Sequence, residues 1–168
     1  MELLVVRHAI AEEREAFAAT GQDDSLRPLT ADGRRKMRRA AQGLRRLVPS
    51  IDLLASSPFT RAADTAEIVR AEYAMDGVQT TDVLEPETPV RKVVAWLARL
   101  EPSSVVAIVG HEPQLGRLVT HLLCGGDRTA IELKKGGACL LDLDEAVRAG
   151  GARLVWSVPP SVLRDLAG

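Results

Sequence analysis

The 168-residue sequence predicts an α/β fold: a three-layer α/β/α sandwich around a mostly parallel, mixed sheet. Short apolar runs rich in Val, Leu and Ile alternate with amphipathic helical stretches, the pattern of strands joined by crossover helices. The last two strand-like runs are joined by a turn instead of a helix, which adds an antiparallel pair. No repeat, linker or low-complexity segment interrupts the chain, so residues 1–168 are expected to form one domain.

The elements follow in order. Leu3-Leu4-Val5-Val6 marks a buried strand over residues 2–6. Residues 9–29 are polar without a sustained period and predict a long loop with a short helix near Glu12–Ala18. A loop of that length in a compact domain is often functional. Thr30 is an N-cap for a helix whose buried face is Met37, Ala40, Ala41, Leu44 and Leu47, ending before Pro49. Ile51–Ala55 is the second strand. Ser57-Pro58 reads as an N-cap with proline at the first helical position, and that helix runs to about Tyr73. Thr80–Leu84 is a short strand, and Glu85-Pro86-Glu87-Thr88-Pro89 a turn and helix start. Val90, Val93, Val94, Leu97 and Leu100 then form an amphipathic stripe. Val105–Val109 is the third strong strand, and Pro113 opens a helix with Leu115, Leu118, Val119 and Leu122 inward. Ala138–Leu143 and Arg153–Val158 pair across a turn at Gly150-Gly151, and a short helix follows Pro159-Pro160.

Composition excludes several function classes. Lys and Arg number 22 against 23 Asp and Glu, a balance that argues against non-specific nucleic-acid binding. No apolar run approaches the roughly 18 residues that cross a bilayer. The N-terminus lacks a basic stretch ahead of an apolar one, so the cytoplasm is the expected compartment. Cys124 and Cys139 lack metal-ligand spacing and are read as reduced, packed thiols. No apolar stripe lacks an internal use, so a monomer is expected.

The chemistry is concentrated where strands end. Arg7-His8-Ala9 follows the first strand directly, and Gly110-His111-Glu112-Pro113 follows the third. In open α/β sheets ligands bind at the carboxyl ends of strands. Arg61 lies in the first turn of the helix after Ser57-Pro58, where unpaired N–H groups and the helix dipole favour an anion. If neighbouring strands carry these groups, Arg7, His8, Arg61 and His111 converge on one tetrahedral anion. Phosphoryl transfer needs such a site, because its catalysis is mostly positioning and electrostatic stabilisation. Arginine forks clamp the equatorial oxygens, and a neutral imidazole attacks phosphorus in line. His8 is read as the nucleophile and His111 as its supporting partner, although spacing alone does not order the two roles.

Leu4-Val5-Val6-Arg7-His8-Ala9 resembles the "RHG" signature of the histidine phosphatase superfamily, with Ala9 in place of glycine. Ser56-Ser57-Pro58-Phe59-Thr60-Arg61-Ala62 and Val109-Gly110-His111-Glu112-Pro113 are similar to that family's second and third motifs. Arg27-Pro28-Leu29-Thr30 with Gly33 resembles the segment after the first loop in its short SixA-type branch. The resemblance implies a phosphoglycerate mutase-like fold and phosphorylation of His8, with a phosphate pocket of Arg7, Arg61 and His111. It implies neither a metal nor an organic cofactor. The family's general acid is not placed by it: Glu85 and Glu87 lie in the matching region, and Asp23, Asp24 and Glu12 on the long loop compete. Arg27, Asp24 and Ser57 are candidate substrate or phosphate contacts.

The expected activity is a phosphatase with a phosphohistidine intermediate. Its first-choice substrate is phosphohistidine on a protein, such as a histidine phosphotransfer domain. Small phosphate esters such as sugar phosphates are the alternative, and a non-catalytic phosphate-binding module is a third reading. The remaining features read as structural. His121 lies beside an inward helical stripe, and Trp96 and Trp156 are packing residues. The basic residues 34–39, 45 and 46 are a solvated helix face, and Lys134-Lys135-Gly136-Gly137 lacks phosphate-loop spacing.

Overall fold

Along β1 (Glu2–Arg7) successive side chains point to opposite faces of the sheet, and every one from Leu3 to Val6 is fully buried. Leu3 and Val5 join one core cluster and Leu4 and Val6 the other. A strand buried on both faces needs a layer of helices on each side, which is the architecture of the computed structural model. The structure describes residues 1–102, 104–126 and 128–168.

The other strands are β2 (Leu53–Ser56), β3 (Gln79–Thr80), β4 (Val105–Gly110), β5 (Ala138–Leu143) and β6 (Ala152–Val158). They form one sheet in the order β3-β2-β4-β1-β5-β6. β1, β2, β3 and β4 run parallel; β5 pairs antiparallel with β1, and β6 antiparallel with β5. The helices are α1 (Arg14–Ala18), α2 (Ala31–Leu47), α3 (Thr60–Tyr73), α4 (Val90–Leu97), α5 (Gln114–Cys124) and α6 (Pro160–Leu166). Side chains of α2, α3 and α6, including Met37, Leu44, Val69 and Leu163, cover the Leu4–Val6 face. Those of α4 and α5, including Val93, Leu97, Leu115 and Leu118, cover the Leu3–Val5 face. The predicted three-layer α/β sandwich is the observed fold, and Trp96 and Trp156 pack against the two cores.

Three boundaries differ from the sequence expectation. β2 starts at Leu53, because Asp52 meets Val105 first, its N–H and carboxylate taking that residue's carbonyl and N–H. The strand expected over residues 80–84 is only Gln79–Thr80. β2 ends at Ser56, and residues 82–84 turn into a 3₁₀ helix instead. α3 begins at Thr60 with Phe59 at the cap position, so Ser57 is not an N-cap and Pro58 is not the first helical residue. The register of β5 and β6 shifts between Leu140 and Leu141, leaving Val155 without an opposite residue and half exposed. A bulge of this kind bends an edge strand away from further pairing.

Candidate active site

The sheet register brings three chain segments to one edge. Arg7 faces Gly110 across β1 and β4, and the next N–H, that of His8, donates to the Gly110 carbonyl at 3.0 Å. Ser56 faces Val109 across β2 and β4, and the Ser57 N–H donates to the Val109 carbonyl at 3.1 Å. His8, Ser57 and His111 therefore leave the sheet side by side at its carboxyl edge.

The His8 ring is buried, and its Nδ1 lies 2.7 Å from the carbonyl oxygen of Ala9. A carbonyl only accepts, so Nδ1 carries the proton and Nε2 keeps its lone pair. Burial, with the charges of Arg61, Arg7 and Arg27, pushes the His8 pKa down to about 3, against the bond to Ala9 that favours the cation. Ala9 has no positive φ, so alanine fits where the family signature has glycine. The His111 ring centre lies 5.2 Å from that of His8, and its Nε2 is 2.9 Å from the Ser57 hydroxyl. Burial, then the neighbouring His8 and Arg61, lower the His111 pKa to about 2. Both imidazoles are thus neutral near pH 7.

The arginines are held by main-chain carbonyls. Arg7 Nη1 donates to the Leu133 carbonyl at 2.6 Å. Arg61 is buried, donates Nη1 to the Asp24 carbonyl at 2.8 Å, and lies 3.1 Å from the Asp24 carboxylate. Its guanidinium sits over the Phe59 ring at 5.1 Å. Arg27 donates Nε to Asp24 at 2.8 Å and Nη1 to the Glu12 carbonyl at 2.7 Å, so it ties the long loop together. Arg7 Nε, Arg61 Nε and His111 Nδ1 are buried and unpartnered among the described residues. They come from three strand ends and are hydrogen-bonding capacity that the oxygens of a tetrahedral anion can use.

Of the acidic candidates, Asp24 reaches the arginines. Burial opposes its ionisation, but the Arg27 hydrogen bond and the charges of Arg61, Arg27 and Arg14 outweigh it, holding the carboxyl below its usual range. A cavity of about 290 Å³ lies beside it, lined by Arg14, Phe17, Ala18 and Gln22. Asp23 caps the 3₁₀ turn through the Ser25 N–H, 2.9 Å away. The Glu12 carbonyl serves Arg27. Glu85 follows the 3₁₀ turn of residues 82–84, whose Leu84 carbonyl approaches Gly110. That places Glu85, a half-buried residue without an ion pair among the described residues, at the same edge of the sheet. Glu87 is exposed on the turn that follows.

Sequence reasoning missed two residues. Thr65 Oγ1 accepts the Ala9 N–H at 3.0 Å and donates to the Arg61 carbonyl at 2.7 Å, linking the turn after His8 to the turn that carries Arg61. Its only signal was a threonine on the inward stripe of a helix. The Glu112 carboxylate accepts the N–H groups of Gly116 and Leu133, and Leu133 in turn holds Arg7. Among the described residues no group of three or more His, Cys, Asp or Glu side chains is placed to hold a metal ion. No helix among them is long and apolar enough to cross a membrane. Both cysteines are free; Cys139 is packed, and burial pushes its thiol up to about 12, whereas Cys124, expected to be packed as well, is exposed at the end of α5.

A family model described as histidine phosphatase superfamily (branch 1) matches residues 3–87. The phosphohistidine phosphatase SixA of Escherichia coli is 30% identical over 169 residues, covering 98% of this chain and 97% of that protein. The chain belongs to the histidine phosphatase superfamily. Its place in the SixA-type branch agrees with the solved structure of the protein histidine phosphatase SixA complexed with tungstate. That structure superimposes with a TM-score of 0.83 at 29% identity, over 97% of this chain and 99% of that one. An uncharacterized protein of Picosynechococcus sp. is 33% identical over 156 residues, 92% of this chain and 88% of its own length. The phosphoserine phosphatase of Entamoeba histolytica, at 15% identity, shares the fold with a TM-score of 0.71 over 96% of this chain and 98% of its own. This histidine phosphatase is accordingly a phosphatase, a hydrolase of phosphate groups.

Proposed function

We propose that this histidine phosphatase removes phosphate from phosphohistidine on a protein, with His8 as the group that accepts the phosphoryl unit. The observation that carries the reading is the 2.7 Å contact of His8 Nδ1 with the Ala9 carbonyl beside half-buried Arg7 and buried Arg61. In the first step the Nε2 lone pair attacks phosphorus and the bond from phosphorus to the substrate imidazole breaks. The His8 ring becomes cationic, and the Ala9 carbonyl holds its Nδ1–H in a charge-assisted bond. Arg7, Arg61 and His111 bind the phosphoryl oxygens. Water then attacks phosphorus, and Nε2 takes back the bonding electron pair. His8 departs as the neutral Nδ1–H tautomer, so its release needs no external proton.

The substrate preference rests on the leaving group. An alkoxide leaves poorly without a proton. Asp24 is held ionised by its arginines and is a poor donor at neutral pH. Glu85 is the remaining candidate acid. A substrate imidazole takes its proton from water on the free ring nitrogen and leaves neutral, so it does not depend on a strong acid. The chain is proposed to act as a one-domain monomer in the cytoplasm without metal or cofactor.

The test is phosphate release, in chelator, from a phosphohistidine-bearing phosphotransfer domain beside a panel of small esters, with His8→Ala as control. Fast His8-dependent release from the protein with slow ester turnover is expected. Fast ester turnover that is lost in Glu85→Gln would move the substrate to small metabolites. Binding of phosphate without release in any assay would leave a phosphate-binding module.

A further inference from the structure

A groove of about 220 Å³ runs along the outer side of the turn that follows His8. Ala9, Ile10 and Met37 form its apolar floor, and Lys36, Lys135 and Arg164 surround it. Three separate elements supply these cations: α2, the loop before β5, and α6. Lys36 lies 2.6 Å from Asp32, a carboxylate it shares with Arg35. Arg164 adds its charge to the same Asp32 without an ion pair of its own among the described residues, and Lys135 forms none there either, so three cations face one carboxylate that Arg35 also shares. The groove is therefore net positive over an apolar base.

It is also coupled to the site. Ala9 and Ile10 are the two residues after the nucleophile, and two extended residues span at most about 7 Å. Gly136, on the groove wall, donates its N–H to the carbonyls of Arg7 and His8 at 3.2 and 3.1 Å. A group seated in the groove thus stands a short step from the phosphoryl acceptor. The volume suits one or two side chains and not a whole small-molecule substrate, whose pockets are typically about 300 Å³ or more.

We infer that this groove docks the phosphoprotein substrate through an apolar side chain flanked by carboxylates, Lys135 and Arg164 meeting the acidic groups. The inference rests on the protein-phosphohistidine reading above and names the surface that would distinguish a protein from free phosphohistidine. Charges at an interface rim act mainly on encounter and register, so their loss should appear in KM and in salt dependence, not in the chemical step.

The test compares wild type with Lys135→Glu and with Lys135→Glu/Arg164→Glu on two substrates, a phosphohistidine-bearing phosphotransfer domain with an acidic surface and free phosphohistidine. The double variant is expected to raise KM for the domain about tenfold with kcat within twofold, and to flatten its dependence on salt. Its kcat/KM on free phosphohistidine should stay within twofold, which also shows that the variant is folded. Lys135→Glu alone, at an exposed position, should give a smaller change in the same direction. An unchanged KM for the domain, or an equal fall on both substrates, overturns the docking surface while leaving the phosphatase reading intact. Absence of His8-dependent release from the domain by wild type overturns both.

Discussion

Thr65 touches no reacting atom, yet its hydroxyl links the turn after His8 to the helix turn that carries Arg61. Thr65→Val keeps the shape of the side chain and leaves the Ala9 N–H buried without a partner. A loss of that kind costs about 1–3 kcal/mol. Ala9 also supplies the carbonyl that fixes the His8 tautomer, so part of the cost should fall on the nucleophile. The expected outcome is a kcat about tenfold lower with KM within twofold, and near wild-type kcat in Thr65→Ser, which restores the hydroxyl. Equal damage from both substitutions would mean that the pocket only needs threonine's volume. At this scale the sequence exposed the charged groups and hid their supports. Arg7, His8, Arg61 and His111 follow strand ends or open a helix, positions with a chemical meaning on their own. Thr65 lies 56 positions from Ala9, and the Leu133 carbonyl lies 126 from Arg7, so only folding makes them partners. Ser57 reads as a cap because Pro58 follows it. Its hydroxyl instead meets His111 and accepts the Phe59 N–H at 3.3 Å, and the cap position passes to Phe59.

At the scale of elements, two glycines of α2 set how closely its neighbours approach, and they should separate stability from activity. A Cβ on Gly43 would lie 1.8 Å from the Leu163 carbonyl oxygen, so alanine there pushes α6 off the helix. α6 is held by buried Leu163 and by Arg39 and Arg46, which donate to carbonyls at its carboxyl end. A Cβ on Gly33 would lie 2.0 Å from the Ile10 carbonyl oxygen, two residues beyond His8. Overpacking of this kind costs about 1–3 kcal/mol. Urea unfolding should show a loss of that order for both Gly43→Ala and Gly33→Ala, with m unchanged. Only Gly33→Ala should also lower kcat in the folded protein, because the displaced chain is the one that leaves the nucleophile. Equal specific activity in the two variants would refute this separation. The longer helices were the most legible elements, since α2, α3, α4 and α5 each carry an apolar stripe and α2 has Thr30, whose hydroxyl accepts the Gly33 N–H at 2.9 Å. The β3 edge of the sheet was the least legible, whereas β6 was read to within one residue of its bounds. β3 has two residues and no periodicity to read, and in β6 only the bulge at Val155 went unread, because a register shift leaves no mark in the strand's own sequence.

For the whole molecule, the same burial that makes two histidines neutral makes folding depend on pH. His8 titrates near 3 and His111 near 2 in the fold, against 6.5 when unfolded. Between those limits the unfolded chain binds more protons, so stability rises with pH and falls as the solution is acidified through 6.5. At pH 5 each histidine is protonated in the unfolded chain and neutral in the fold, a difference of about 2 kcal/mol per group. For a chain of this size the pair is worth a Tm change of roughly 10 °C between pH 7 and 5. The lowered Asp24 carboxyl adds to the loss only on further acidification, below its ordinary range. Replacing both rings by glutamine removes the histidine contribution and keeps polar groups in place. Scanning calorimetry should therefore give His8→Gln/His111→Gln a Tm that falls less than that of wild type over this interval. Parallel curves would show that the rings are protonated in the fold, and a cationic His8 has no lone pair with which to attack phosphorus. Catalysis makes the complementary demand. The nucleophile is already neutral at pH 7 and stays so well below 6.5, so acid should unfold the protein before it protonates the attacking nitrogen. The acid limb of kcat/KM should then follow the loss of fold, with no inflection near 6.5.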